Sequence, residues 1–160
     1  MGATVTTEQV WQAIEKQLFA VVGMVTTKNE ARTVGIVYAV HQRKLYIGSY
    51  TDTWKVRHVR ANPNVSVTVP ITKAIPLMPW FKIPAATITF SGTARVLELD
   101  DAPPPAVHAV FRGLELDDDA AAKSSIIEIE PHGHFLTYGV GVSMMTMRKP
   151  EESHGRVPVG

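Results

Sequence analysis

The feature that most restricts the fold of this chain is a set of short runs whose side chains repeat every two residues, each closed off by polar turn residues. Leu18 to Thr27 is apolar and valine-rich, and Lys28-Asn29-Glu30 turns the chain. Ala31 to His41 alternates: Arg32, Val34, Ile36, Tyr38 and Val40 share one face, and Thr33, Gly35, Val37 and Ala39 the other. Apolar groups on both faces predict a strand covered on both sides for much of its length. Gln42-Arg43 makes a tight turn into a third strand, Lys44 to Ser49. Val65 to Val69, Ala85 to Leu97 and Ser125 to His132 supply a fourth, fifth and sixth. Six strands and short connections predict a mainly β fold, an antiparallel barrel whose closure removes vulnerable edges.

Helices are few. Thr6 and Gln9 have capping-box spacing, and Val10, Trp11, Ile14 and Leu18 fall on one helical face, so a helix is predicted over 6–17. Thr53 to Ala61 reads as a second helix, ended by Asn62-Pro63. Asp101 and Pro103 open a third that Gly113 stops, and Asp117-Asp118-Asp119 precedes a short helical stretch. The tail 143–160 carries no clear pattern. A length of 160 residues suits a single domain, and 45% hydrophobic against 19% charged residues fits a packed core. A net charge of +1 gives no reason to expect nucleic acid or an anionic membrane as partner. No apolar run reaches spanning length, and residues 1–7 lack the pattern of a signal peptide. With no cysteine there is neither disulfide framework nor thiolate metal site, which fits a cytoplasmic protein.

One segment carries chemistry: Ser49-Tyr50-Thr51-Asp52-Thr53-Trp54-Lys55-Val56-Arg57, which leaves a strand and enters a helix. A helix N-terminus presents unpaired N–H groups and partial positive charge, so a lysine in the first turn is locally unfavourable. An anion between the Lys55 ammonium and those N–H groups removes that cost. Arg57 can fork onto phosphate oxygens, and Ser49, Thr51 and Thr53 add hydroxyl donors. On spacing alone the alternative is a capped surface helix with solvated cations.

The run LYIGSYTDTWKVRHVRANPNVSVTV resembles the core signature of the pyridoxamine 5′-phosphate oxidase-like, FMN-binding split-barrel superfamily: a strand ending in hydroxyl residues, a lysine opening a short helix, Asn-Pro and a valine-rich strand. FAVVGMVTTKNEARTVGIVYAVHQRKLYI resembles its opening hairpin, and ITFSGTARVLE its small-Gly-x-Ala strand. The resemblance implies a six-stranded split β-barrel and a homodimer with FMN at the interface. It implies a flavin-dependent oxidoreductase acting on a small molecule, with the phosphate on Lys55, Arg57 and the hydroxyl-bearing turn Ser49, Tyr50 and Thr51. The isoalloxazine ring would lie along Arg32, Thr33, Val34, Gly35 and Ile36. Relatives of this fold use a deazaflavin coenzyme or haem instead, and the phosphate turn does not separate these options. The arginine-rich C-terminal substrate motif of true pyridoxamine phosphate oxidases is absent from MRKPEESHGRVPVG.

The loop Pro70 to Pro84 has four prolines and is expected to expose Ile75, Leu77, Met78, Trp80 and Phe81, and reads as a dimer interface, a wall over the cofactor or a flap on its own barrel end. Met144, Met145 and Met147 suit adaptable packing. The histidines form no convincing metal site, and Glu128 and Glu130 read as solvent-facing.

Overall fold

The computed structural model describes residues 4–73, 77, 80 and 85–160. The chain runs through α1 (Thr7–Glu15), β1 (Phe19–Val25), β2 (Ala31–Val37), β3 (Ala39–His41), β4 (Lys44–Tyr50), α2 (Trp54–Ala61), β5 (Asn64–Ile71) and β6 (Ala86–Leu97). It continues through a 3₁₀ turn (Leu99–Asp101), α3 (Pro104–Val110), α4 (Asp118–Ala122), β7 (Ser124–Tyr138), a second 3₁₀ turn (Thr146–Arg148), α5 (Pro150–Ser153) and β8 (His154–Pro158).

Local chemistry explains the element ends. The Thr6 hydroxyl accepts from the Gln9 N–H while the Gln9 side chain accepts from the Thr6 N–H, so the capping box forms in full. Val10, Trp11 and Ile14 are buried, whereas Leu18 lies beyond the helix and is exposed, not part of its apolar face. Gln42 and Arg43 both have positive φ, 48° and 59°, the paired left-handed residues of a two-residue hairpin turn between β3 and β4.

The sheet has eight strands rather than six, in the order β2-β1-β5-β6-β7-β4-β3, with β8 paired to β7. The extra count has two sources. The alternating run 31–41 is divided at Tyr38 into β2 and β3, and the tail forms β8 against residues 134–138 of β7. β7 also runs on to Tyr138, through Gly133 at φ 75°, instead of stopping at His132.

The two ends of the strand order, β2 and β3, are consecutive segments of one chain run separated by Tyr38 alone. β2 pairs with β1 and β3 pairs with β4, so residues 31–41 join the two edges of the curled sheet and make it a split barrel. Val22, Met24, Ile36, Leu45, Ile47, Val67, Ile88, Phe90, Ile127, Ile129 and Phe135 fill the interior. Phe135 meets the edges of Trp11 and Phe90 with centroids 5.3 and 5.4 Å away. A smaller cluster on the outer face joins Tyr46, Ala102, Ala106 and Ile126 beneath α3. No helix among the described residues is long and apolar enough to cross a membrane.

Candidate functional site

β4 delivers the chain to the mouth of α2, and the residues between them form a small polar knot. The Ser49 and Thr53 hydroxyls lie 2.9 Å apart, and both reach the Tyr50 carbonyl, at 3.2 and 3.0 Å. Both hydroxyl hydrogens therefore have internal acceptors. The Thr53 side chain leaves the first-turn N–H groups of α2 uncapped. Lys55 sits half-buried in that turn and forms no ion pair or side-chain hydrogen bond among the described residues. Its aliphatic stem rests against the apolar interior, near Val34, Ile36 and Val59.

Two clefts meet at this lysine. One, of about 550 Å³, is lined by Gly35, Ile36, Val37, Gly48, Lys55 and the α3 end at Val110–Arg112, among others. The other, of about 390 Å³, is lined by Ser49, Tyr50, Thr53, Phe111, Leu116 and Ser124, and shares Gly48, Lys55 and Phe111 with the first. The floor of the larger cleft continues onto an open apolar face, where Leu18, Phe19 and Val37 are 60%, 48% and 51% exposed. The outward face of β2 is thus uncovered within one chain, although the alternation in its sequence predicts cover on both sides. Gly35 belongs to this face, and a Cβ there would come within 2.8 Å of the Phe19 ring.

The residues singled out from sequence divide into groups. Gly35, Ile36 and Lys55 line the larger cleft, and Ser49, Tyr50 and Lys55 the smaller. Val34 faces the interior beneath Lys55. Arg32 is at the barrel end in an exposed pair with Glu30 at 2.8 Å, and Thr33 is exposed on β2. Thr51 lines a separate cleft with Arg60, Glu98 and Asp101. Arg57 is exposed and donates to the Asp52 carbonyl at 2.9 Å, a backbone contact in place of the expected free fork. In the loop 70–84, Leu77 and Trp80 are exposed, while Ile75, Met78 and Phe81 lie outside the described residues.

Glu128 corrects the sequence reading. Its side chain is 4% exposed, not solvated, because Tyr46, Arg95 and Lys44 converge on it from the two flanking strands. It accepts from Tyr46 Oη at 2.9 Å and Arg95 Nε at 2.7 Å, with Lys44 Nζ at 3.4 Å. Burial alone would raise the carboxyl; the hydrogen bonds from Arg95 and Tyr46 and the charges of Lys44 and Arg95 outweigh it and hold it below the usual carboxylate range. Burial, then the bond to Glu128, pushes the Tyr46 hydroxyl up to about 12. Tyr46, Glu128 and Arg95 are direct cross-strand partners on β4, β7 and β6. No group of three or more His, Cys, Asp or Glu among the described residues could hold a metal ion.

The sequence missed Phe111 and Arg112, which wall the clefts, because the end of a short helix carries no motif that marks it.

Comparison with known proteins supplies the frame for this geometry. The family model described as pyridoxamine 5′-phosphate oxidase matches residues 6–137. Among solved structures, the chain is similar to a haem binding protein from Mycobacterium smegmatis at 13% identity and TM-score 0.67, over 99% of this chain and 60% of that one. It is similar to HutZ, the haem storage protein from Vibrio cholerae, at 15% identity and TM-score 0.65, over 86% and 98% of the two chains. An F420 reductase aligns at 19% identity and TM-score 0.55, over 78% of this chain and 93% of that one. At these identities the likeness is one of fold. No curated protein matches the sequence.

Proposed function

The chain belongs to the pyridoxamine 5′-phosphate oxidase family, and from that premise we propose that it binds FMN as a flavin-dependent oxidoreductase of a small-molecule substrate. The observation that carries this reading is Lys55: a half-buried cation without a partner among the described residues, where two clefts meet. A phosphate on Lys55 would also meet the uncapped N–H groups of α2. The fit is good for the phosphate's charge and incomplete for its hydrogen bonds. Ser49 or Thr53 must turn a hydroxyl away from the Tyr50 carbonyl before it donates, and Arg57, which holds the Asp52 carbonyl through Nη1, has its remaining N–H groups to offer. Gly35 lets the Phe19 ring lie against the β2 backbone, so a flat cofactor ring would reach that backbone once Phe19 swings aside, with Leu18 and Val37 as its apolar neighbours.

When bound, the flavin supplies the electron chemistry. The chain's residues hold and orient it. Lys55 anchors the charged end, the β2 backbone offers N–H and C=O groups to the ring edge, and the apolar floor keeps solvent out. The exposed face of Leu18, Phe19 and Val37 supports a homodimer with the cofactor at the interface. Sedimentation is expected to give twice the 17.5 kDa of one chain.

The test is titration of FMN fluorescence with purified protein. Saturable quenching at micromolar concentration is expected; no quenching up to high micromolar FMN overturns the reading. A second reading, a deazaflavin coenzyme, is favoured by the space that continues past Lys55 into the smaller cleft, where a longer tail could run. Competition between the two coenzymes at matched concentration separates them. A Soret band in freshly purified protein would instead favour a non-catalytic haem binder.

A further inference from the structure

The two clefts that meet at Lys55 differ in chemistry, and a mononucleotide fills only the larger. The smaller, of about 390 Å³, falls within the ~300–1,000 Å³ of ordinary ligand sites, so it has room for a group of its own. Gly48, Lys55 and Phe111 line both, so the passage between them runs past the cation. Phe111 is fixed at that passage. Two of its ring carbons lie 3.4 Å from where a Cβ on Gly48 would be, and its N–H donates to the Val107 carbonyl at 3.1 Å.

Lys55 is the one charged side chain among the described residues that line the smaller cleft. Three hydroxyls line it too, and each has a backbone carbonyl to donate to: Ser49 and Thr53 to Tyr50 at 3.2 and 3.0 Å, and Ser124 to Ala120 at 2.8 Å. With those hydrogens engaged, the hydroxyls offer lone pairs to a ligand. Phe111, Leu116 and Ala120 add apolar wall. A second anion would find no further cation there. A flat neutral group that gives hydrogen bonds would find acceptors and apolar surface together. With Lys55 and β2 assigned to the flavin, as in the reading on which this rests, we infer that the smaller cleft is a nucleobase site and that the chain takes a flavin adenine dinucleotide in preference to the mononucleotide. The diphosphate then lies at Lys55, and the exocyclic amine of adenine donates to the hydroxyl oxygens.

The experiment is calorimetric titration of the flavin-free full chain with FAD and with FMN. FAD is expected to bind about tenfold more tightly, the scale of one buried base with one hydrogen bond. Ala120→Phe places a ring in the smaller cleft from α4. It should bring FAD down to the FMN level or below and leave FMN at its parent affinity. Ser124→Ala removes one acceptor and should cost FAD about threefold and FMN nothing. Thermal unfolding shows which variants are folded, and if Ala120→Phe is not, Ser124→Ala decides. FAD that binds no more tightly than FMN, or an FAD advantage untouched in the deciding variant, overturns the inference and leaves the FMN reading standing. If neither flavin binds, the flavin reading itself fails and takes this inference with it.

Discussion

The barrel carries two half-hidden charges, and they are treated in opposite ways. Glu128 is surrounded: Tyr46, Arg95 and Lys44 converge on its two oxygens, and its neighbours on both flanking strands supply the donors. Lys55 is left alone beside two clefts, although Ser49 and Thr53 hydroxyls and the Tyr50 carbonyl lie within the same turn. A buried charge with every partner in place holds strands in register; a charge kept from partners that are near at hand is reserved for something outside the chain.

The sharpest way to break that contrast is to exchange the consequences. Glu128→Ala should lower stability by about 3 kcal/mol, at the lower end for a broken buried pair because Arg95 is 62% exposed and can be resolvated. Denaturant unfolding measures this, and FMN affinity of the folded fraction should not change. Lys55→Ala should do the reverse. FMN binding is expected to weaken by about 2–3 kcal/mol, roughly a hundredfold, with stability lowered by no more than about 1 kcal/mol for the lost packing of its stem. A large loss of stability in Lys55→Ala would place that lysine with Glu128 as a structural charge.

The pH dependence sharpens the same comparison. The Glu128 carboxyl is held below its ordinary value of 4.5 in the folded chain, so its contribution is complete above that pH and is lost as the pH falls through the lower folded value. Glu128→Gln should flatten this acid limb of the stability curve. Tyr46 works at the other end: raised from 10.0 to about 12, it contributes below pH 10 and loses that contribution as the pH climbs toward 12. Tyr46→Phe should reduce the alkaline part and leave the share of Tyr38, whose hydroxyl burial raises further. The smallest effect on the fold is expected at Gly35→Ala. The new Cβ would press only on the ring of half-exposed Phe19, which can swing aside, so stability should shift by about 0.5 kcal/mol or less. FMN affinity should nevertheless fall about tenfold, because once Phe19 has moved aside the methyl group would hold a flat ring off the strand.

Local pattern made the barrel legible and left its closure hidden. The turn at Gln42-Arg43 and the capping box at Thr6 act over a few residues and appear in the structure where the sequence puts them, and the alternation from Ala31 to His41 appears as two strands divided at Tyr38. The far half of β7 does not, because His132-Gly133-His134 resembles a strand end, and only pairing with β6 and β8 carries the strand through it. β8 itself, HGRVP, is too short and polar to declare itself without that partner. Alternation puts Glu128 on the outer face, yet its burial comes from Tyr46 and Lys44 on β4 and Arg95 on β6, which no spacing along β7 connects to it. At the candidate site, Lys55 stands out as a cation where a helix disfavours one. Arg57 has the same spacing advantage, but its reach to the Asp52 carbonyl depends on the shape of the turn.

Residues 31–41 belong to both margins of the sheet, and this shapes how the molecule must assemble. The β1–β2 and β3–β4 hairpins are local and can form early. The β4–β7 seam joins positions some 80 residues apart, as in the Tyr46–Glu128 contact with its sequence separation of 82. That late zipper brings Ser124 beside Ser49 and Tyr50, completing the smaller cleft. A ligand seated there recognises only chains whose final seam has shut, so its binding energy guards the whole barrel against opening rather than any one loop.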